Sequence, residues 1–71
     1  MDLKNNRITV GEMMSNPRVR DLLLREFPML QDVRMRRRVW NMPLWKILQL
    51  GPRYMPQYRI NDLLRQVREL D

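Results

Sequence analysis

The sequence predicts an all-α fold, a small compact bundle of four to five helices. Two segments built alike carry this prediction: residues 17–28 and residues 56–70 each open with a proline and each contain Asp-Leu-Leu. In both segments the apolar residues recur every three or four positions, which is the period of one face of an α-helix. The chain has 71 residues, and a domain of this size buries only about 60 % of its unfolded surface. We therefore expect one thin core between the apolar helix faces.

The first residues predict an arm rather than a helix. Residues 1–8 are mostly polar and show no period, so we expect a flexible N-terminal arm followed by a single helical domain at residues 9–71. No apolar run approaches the roughly 18 residues that a membrane span needs, and Met1 is not followed by a hydrophobic signal core. We therefore expect a soluble cytoplasmic protein, and the initial Met1 favours a free-standing chain.

Two helix starts follow the arm. Thr9 and Glu12 have the spacing of a capping box, in which each side chain binds the backbone N–H of the other residue. This pair predicts a short helix over about residues 10–15. Asn16 and the proline after it are typical of an N-cap and of the first helical position. They predict the second helix, over residues 17–27.

The second half of the chain begins with its least regular part. Residues 29–41 carry four arginines, and their apolar residues follow no clean period, so Asp32 either caps a short helix or lies in an irregular connector. A short helix over residues 44–50 should follow, with Gly51 as its left-handed C-terminal cap. The last helix, over residues 56–70, has the clearest apolar period of the chain.

Each half of the chain runs from a short helix through a proline-containing turn to a longer helix. Residues 9–27 and 42–70 are therefore candidates for an internal pseudo-repeat. We expect the long second and last helices to lie roughly antiparallel, with the two short helices bridging them. The predicted core residues are Val10, Met13, Val19, Leu22, Leu23, Phe27, Leu44, Ile47, Leu48, Ile60, Leu63, Leu64 and Val67.

Composition limits the function. The chain has 14 Lys and Arg residues against 8 Asp and Glu, a formal net charge of +6 that attracts polyanions over long range. It has neither Cys nor His, so we expect no disulfide, no metal and no cofactor. Because no histidine can move protons at neutral pH and the carboxylates are scattered, we predict that the protein is not an enzyme.

The helix starts and prolines resemble those of known modules. Residues 9–17, Leu24, residues 27–28 and residues 42–44 together resemble a small helical module appended to some bacterial glycoside hydrolases. They are also similar to the first half of a small helical domain of unknown function that usually carries a cysteine pair. This chain has no such pair, and Pro43 stands where the appended module usually has Thr. The resemblance implies a non-catalytic accessory or interaction module, without the cluster or redox role of the cysteine-bearing relatives.

Methionine and aromatic residues provide the first functional prediction. Met adapts to irregular contacts, and Trp and Tyr are enriched at interfaces. In this chain they either fill the core or form a contact patch, and a carbohydrate platform made by Trp40 or Tyr54 is a further alternative. We predict a non-enzymatic module that binds another protein or a second copy of itself, leaving its oligomeric state open. The candidate contact residues are Trp40, Trp45, Tyr54, Met55 and Tyr58.

The arginine cluster of the central segment provides the alternative prediction, a nucleic-acid-binding module. Guanidinium groups suit phosphates, and Trp40 beside them can stack on an unpaired base. The competing interpretation is that these arginines solvate the outside of the bundle, and Asp21, Glu26 and Asp32 interrupt the positive charge along the sequence. The candidate residues are Arg34, Arg36, Arg37 and Arg38, extended by Arg18, Arg20 and Arg25.

Overall fold

The computed structural model describes residues 1–70. Within this range the longest helix has 13 residues, and none is long and apolar enough to cross a membrane. The predicted all-α bundle is confirmed: five α-helices form in the described range, and short 3-10 turns at Pro28–Gln31 and Gly51–Arg53 precede α3 and follow α4. The helices are α1 (Val10–Met14), α2 (Pro17–Glu26), α3 (Val33–Val39), α4 (Leu44–Leu50) and α5 (Gln57–Glu69).

The core is formed by one face of each of four helices. α1, α2, α4 and α5 all contribute buried residues, whereas α3 buries none of its own. The predicted core residues divide into two groups. Val10, Met13, Val19, Leu22, Leu44, Ile60, Leu63 and Val67 are buried, and Leu23, Phe27, Ile47, Leu48 and Leu64 are partly buried and pack against the core.

Residues 1–8 also contribute to the core. Leu3 and Ile8 are only 6 % and 3 % exposed, and the Met1 amine donates hydrogen bonds to the carbonyls of Arg68 (2.8 Å) and Leu70 at the end of α5. A positive group is favourable there because the carbonyl end of a helix carries partial negative charge. The burial of Leu3 and Ile8 was not predicted, and the flexibility of this segment stays a prediction.

The two halves of the chain meet where their short helices begin. Thr9, before α1, and Pro43, before α4, form an antiparallel bridge. The first two amides of each helix have no acceptor within it, and each pair donates to the segment that precedes the other helix. The four hydrogen bonds are Val10 N–H to Met42 (3.1 Å), Gly11 to Trp40 (2.8 Å), Leu44 to Ile8 (2.7 Å) and Trp45 to Asn6 (2.9 Å).

This pairing gives the helix starts a local two-fold relation. Exchanging the halves leaves the pattern of donors and acceptors unchanged, and in both halves the short helix is followed by a longer one. Pro43 fits because the donors of this bridge are Val10 and Leu44, the residues that follow Thr9 and Pro43, so the missing N–H of Pro43 is not needed. The geometry agrees with a pseudo-repeat at the two short helices. A common origin of the two halves stays a prediction.

The structure corrects one turn and resolves another. Gly51 was predicted as a left-handed cap, but its φ of −53° is right-handed and the chain continues into a 3-10 turn. A Cβ there would lie 2.9 Å from Cδ1 of Ile60, so a larger residue would require the end of that side chain to shift. Asp32 does cap a helix: its carboxylate accepts from the N–H of Arg34 at 2.8 Å. The central segment is therefore α3 rather than an irregular connector.

Candidate anion-binding cleft

Helix α3 presents a mixed cationic and aromatic face. Val33, Arg36 and Arg37 lie at positions i, i+3 and i+4, and Trp40 follows at i+7, immediately after the helix. Residues at these spacings share one side of an α-helix. A search for apolar periodicity misses this face because two of its four members are arginines.

This face forms one wall of a shallow cleft. Arg20 of α2 and Met14 of α1 line the cleft together with the α3 residues, and its volume is about 330 Å³. Arg36 is half-buried, whereas Arg20 and Arg37 are exposed. Three guanidinium groups from two helices are therefore available to one bound group.

Trp40 is held in place by α1. Its indole lies against Gly11, where an added Cβ would come within 2.6 Å of Cε2 of the ring. Its carbonyl accepts the N–H of Gly11 at 2.8 Å, yet 42 % of Trp40 remains exposed. Gly11 therefore lets an exposed indole lie close to the helix backbone.

The cleft has a strong positive bias. None of its lining residues is acidic, and within residues 1–70 neither Arg20, Arg36 nor Arg37 forms an ion pair. Two of the three acidic residues expected to interrupt the cluster are engaged elsewhere, and Asp21 lines a different depression. Glu26 binds Arg59 of α5 at 2.9 Å, and Asp32 caps α3.

The structure divides the predicted arginine cluster. Arg36 and Arg37 line the cleft, but Arg34 and Arg38 do not. Of the residues proposed as an extension, Arg20 joins the cleft. Arg18 and Arg25 line a second depression of about 440 Å³ between α2 and α5, together with Asp21, Leu22, Gln66, Glu69 and Leu70. That depression carries both signs of charge and gives no comparable anion site.

The predicted protein-contact residues have different settings. Tyr54 and Tyr58 are 83 % and 76 % exposed, and Trp45 is 47 % exposed. Met55 instead is partly buried and packs against the core. Trp40 belongs to the arginine cleft. The aromatic residues therefore do not simply fill the core, which was one of the two interpretations of their pattern.

Shifted pKa values occur outside the cleft. A hydrogen bond from the Lys4 ammonium lowers the pKa of the Glu12 carboxyl, and the Thr9 backbone N–H lowers it further. On α5, hydrogen bonds from Arg65 and Gln66 lower the pKa of Asp62. All these side chains lie at the surface, in ordinary ion pairs and caps, so they mark no reactive group.

No significant match to this chain was found among protein-family models, curated proteins or solved structures. The resemblance to the accessory modules of glycoside hydrolases therefore stays a prediction. In the part of the chain that the structure describes, no three carboxylates lie together in a way that would hold a metal ion.

Proposed function

We propose that this chain is a non-enzymatic binding module whose arginine cleft binds the phosphate backbone of nucleic acid. The observation that carries the proposal is the convergence of Arg20, Arg36 and Arg37 in a cleft without a carboxylate, beside the exposed indole of Trp40. Guanidinium groups donate paired hydrogen bonds that match phosphate oxygens. A cytoplasmic location, where nucleic acids are accessible, is part of this proposal.

The distribution of charge favours this use over simple solvation. Arginines that serve as a solvated surface have no reason to avoid acidic neighbours, and on α5 they do not: Arg65 contacts both Asp62 and Glu69. Arg53 and Arg68 are also without an ion pair within residues 1–70, so the cleft is distinguished by three unpaired guanidinium groups that lie together without a carboxylate. The net charge of +6 adds long-range attraction for a polyanion.

Fluorescence anisotropy with labelled oligonucleotides over a range of salt concentrations tests the proposal. Phosphate contacts release counterions, so the logarithm of the association constant should fall linearly with the logarithm of salt. Three contacts to a single strand correspond to a slope of about −2. The double variant Arg36→Ala/Arg37→Ala should make this salt-dependence slope shallower by about 1.4.

A matched double variant controls for net charge. The double variant Arg53→Ala/Arg68→Ala also removes two positive charges, but from exposed residues outside the cleft. This control should weaken binding only through long-range attraction and leave most of the slope intact. Equal losses in both double variants, or no binding by the parent at low salt, would contradict the proposal.

A second candidate function follows from the exposed tyrosines. Tyr54, after the 3-10 turn, and Tyr58, in the first turn of α5, are among the most exposed large side chains. Such residues are enriched at protein interfaces, so binding of a partner protein or of a second copy is the alternative proposal. For the second copy, sedimentation velocity should show a mass that rises with concentration and that falls in Tyr54→Ser/Tyr58→Ser. A constant monomer mass would exclude self-association.

A further inference from the structure

We infer that the cleft selects unpaired nucleotides, with a phosphate on Arg20, Arg36 and Arg37 and a base stacked on Trp40. This inference rests on the proposed function and specifies its ligand as single-stranded nucleic acid. RNA and DNA share the chemistry that it requires. Both carry phosphates that bind guanidinium groups and base faces that stack on aromatic rings.

The indole is the first reason to expect a single strand. In a duplex the base faces are covered by their neighbours, so a fixed aromatic ring can stack only on a base that has left the helix or was never paired. Trp40 is 42 % exposed and held against Gly11. It therefore offers a preformed surface, and a ring that is already ordered loses little freedom when it binds.

The size and composition of the cleft are the second reason. A volume of about 330 Å³ lies at the lower end of the range of small-ligand pockets, roughly 300–1,000 Å³. It suits a group of nucleotide size. Val33 and Met14 supply apolar contact beside the arginines, which a phosphate backbone alone would not use but a base would.

Sequence preference is not part of the inference. The side chains lining the cleft include no Asn, Gln, Asp, Glu, Ser or Thr, which are residues that read base edges alongside arginine. Stacking tolerates all four bases because each has an aromatic face. We therefore expect binding with little dependence on base identity.

The test uses Trp40 as its own reporter. In a Trp45→Phe background, Trp40 is the sole tryptophan, and its fluorescence is followed while single-stranded DNA, single-stranded RNA, the matching duplex and inorganic polyphosphate are added at low salt. We expect both single strands to quench Trp40 and to bind more tightly than the duplex. Polyphosphate, which has no bases, should bind through the arginines without the stacking contribution.

Two substitutions separate stacking from charge. Because Trp40→Ala lacks the reporter, the affinities of the substituted proteins are measured by the anisotropy of a labelled single strand, with polyphosphate as competitor. Trp40→Ala should lower the affinity for single strands about tenfold or more and leave the affinity for polyphosphate unchanged, whereas Trp45→Ala, at an exposed indole outside the cleft, should change neither. Trp40→Phe, which keeps an aromatic ring, should retain part of the affinity. Thermal unfolding followed by circular dichroism identifies any variant that fails to fold, and the quenching measurement needs no substitution in the cleft.

The outcomes distinguish the two proposals. Equal affinity for single strand, duplex and polyphosphate, with no effect of Trp40→Ala, overturns the inference but leaves a charge-driven nucleic-acid-binding function in place. Tighter binding of the duplex also overturns the inference alone. If no nucleic acid binds even at low salt, both the proposed function and the inference fail.

Discussion

In helices α3 and α5, side chains at the same helical spacing have different roles. On α5, Ile60, Leu63 and Val67 are buried, and within residues 1–70 two of its three arginines pair with carboxylates. On α3, the residues at the corresponding spacing line the cleft, none of the seven helical residues is buried, and within residues 1–70 none of its four arginines is paired. One helix holds the bundle together, and the other presents a charged face from it.

The difference shows that α5 stabilises the fold, whereas α3 carries residues of the candidate cleft. A helix of seven residues is not stable in isolation, because a few hydrogen bonds do not offset the cost of starting the helix. α3 therefore depends on its neighbours and on the Asp32 cap. Arg36, Arg37 and Arg38 lie in its last turn, where positive charge is favourable, and the proposed ligand concerns only Arg36 and Arg37, which line the cleft.

The largest expected contrast comes from shortening one apolar side chain on each helix. Leu63→Ala removes buried methyl groups of α5 from the core and should lower the free energy of unfolding by about 2–4 kcal/mol. Met35→Ala, on the exposed side of α3, should change it by less than about 0.5 kcal/mol. Urea unfolding followed by circular dichroism measures both. Equal losses would place α3 in the core and remove the contrast.

Much of the fold was predictable because α1, α2, α4 and α5 bury residues that follow the helical period. Caps at Thr9 and Asn16 were also readable from sequence, and both are present. Leu3 and Ile8 were missed because isolated apolar residues in a polar segment have no period. Their burial depends on a left-handed turn at Lys4, Asn5 and Asn6 that returns the chain to the core.

The candidate cleft was predictable only in part. The density of arginines identified Arg36 and Arg37, but sequence distance along α3 could not separate them from Arg34 and Arg38. The helical spacing from Val33 to Trp40 was a usable signal that a search for apolar residues passes over. Arg20 was predicted together with Arg18 and Arg25 as an extension of the cluster, but which of the three lines the cleft depends on how α2 is oriented in the bundle, which no local pattern encodes.

The second largest expected effect on stability comes from removing the cap of α3. Asp32→Ala removes the acceptor of the Arg34 N–H and should lower stability by about 1 kcal/mol. Because α3 buries no residue of its own, the loss should appear as faster amide hydrogen exchange in α3, with α5 unchanged. Asp32→Asn keeps a capping oxygen and serves as the control. Equal acceleration in both helices would show that α3 and α5 unfold as one unit.

A smaller effect, of opposite sign, is expected from Arg34→Glu. Arg34 and Arg38 lie four residues apart on α3, where like charges repel and a Glu four residues before an Arg attracts it. The substitution should raise stability by about 0.5 kcal/mol, and Arg34→Gln, which removes charge without adding a pair, should fall between the two proteins. A stabilised variant would show that Arg34 was not selected for folding. Loss of stability would mean that it has a structural contact.

The smallest expected effect is a dependence of stability on pH. It distinguishes Arg65 of α5, which is paired with a carboxylate, from the unpaired arginines of α3. Hydrogen bonds from Arg65 and Gln66 hold the pKa of Asp62 below its ordinary value of 3.8. The unfolded chain therefore takes up this proton more readily, so the stability that Asp62 contributes is present above its unfolded pKa and is lost as the pH falls through the lower, folded pKa. The pair is exposed, so the contribution is small.

Thermal unfolding between neutral pH and pH about 2 measures this dependence. Arg65→Ala removes the main donor to Asp62 and should flatten the acid limb of the stability curve. Arg37→Ala removes the same charge from α3, where no carboxylate depends on it, and should leave the shape of that limb unchanged. If both variants flatten the curve equally, the acid sensitivity reflects net charge. The paired surface of α5 and the unpaired surface of α3 would then be electrostatically equivalent for folding.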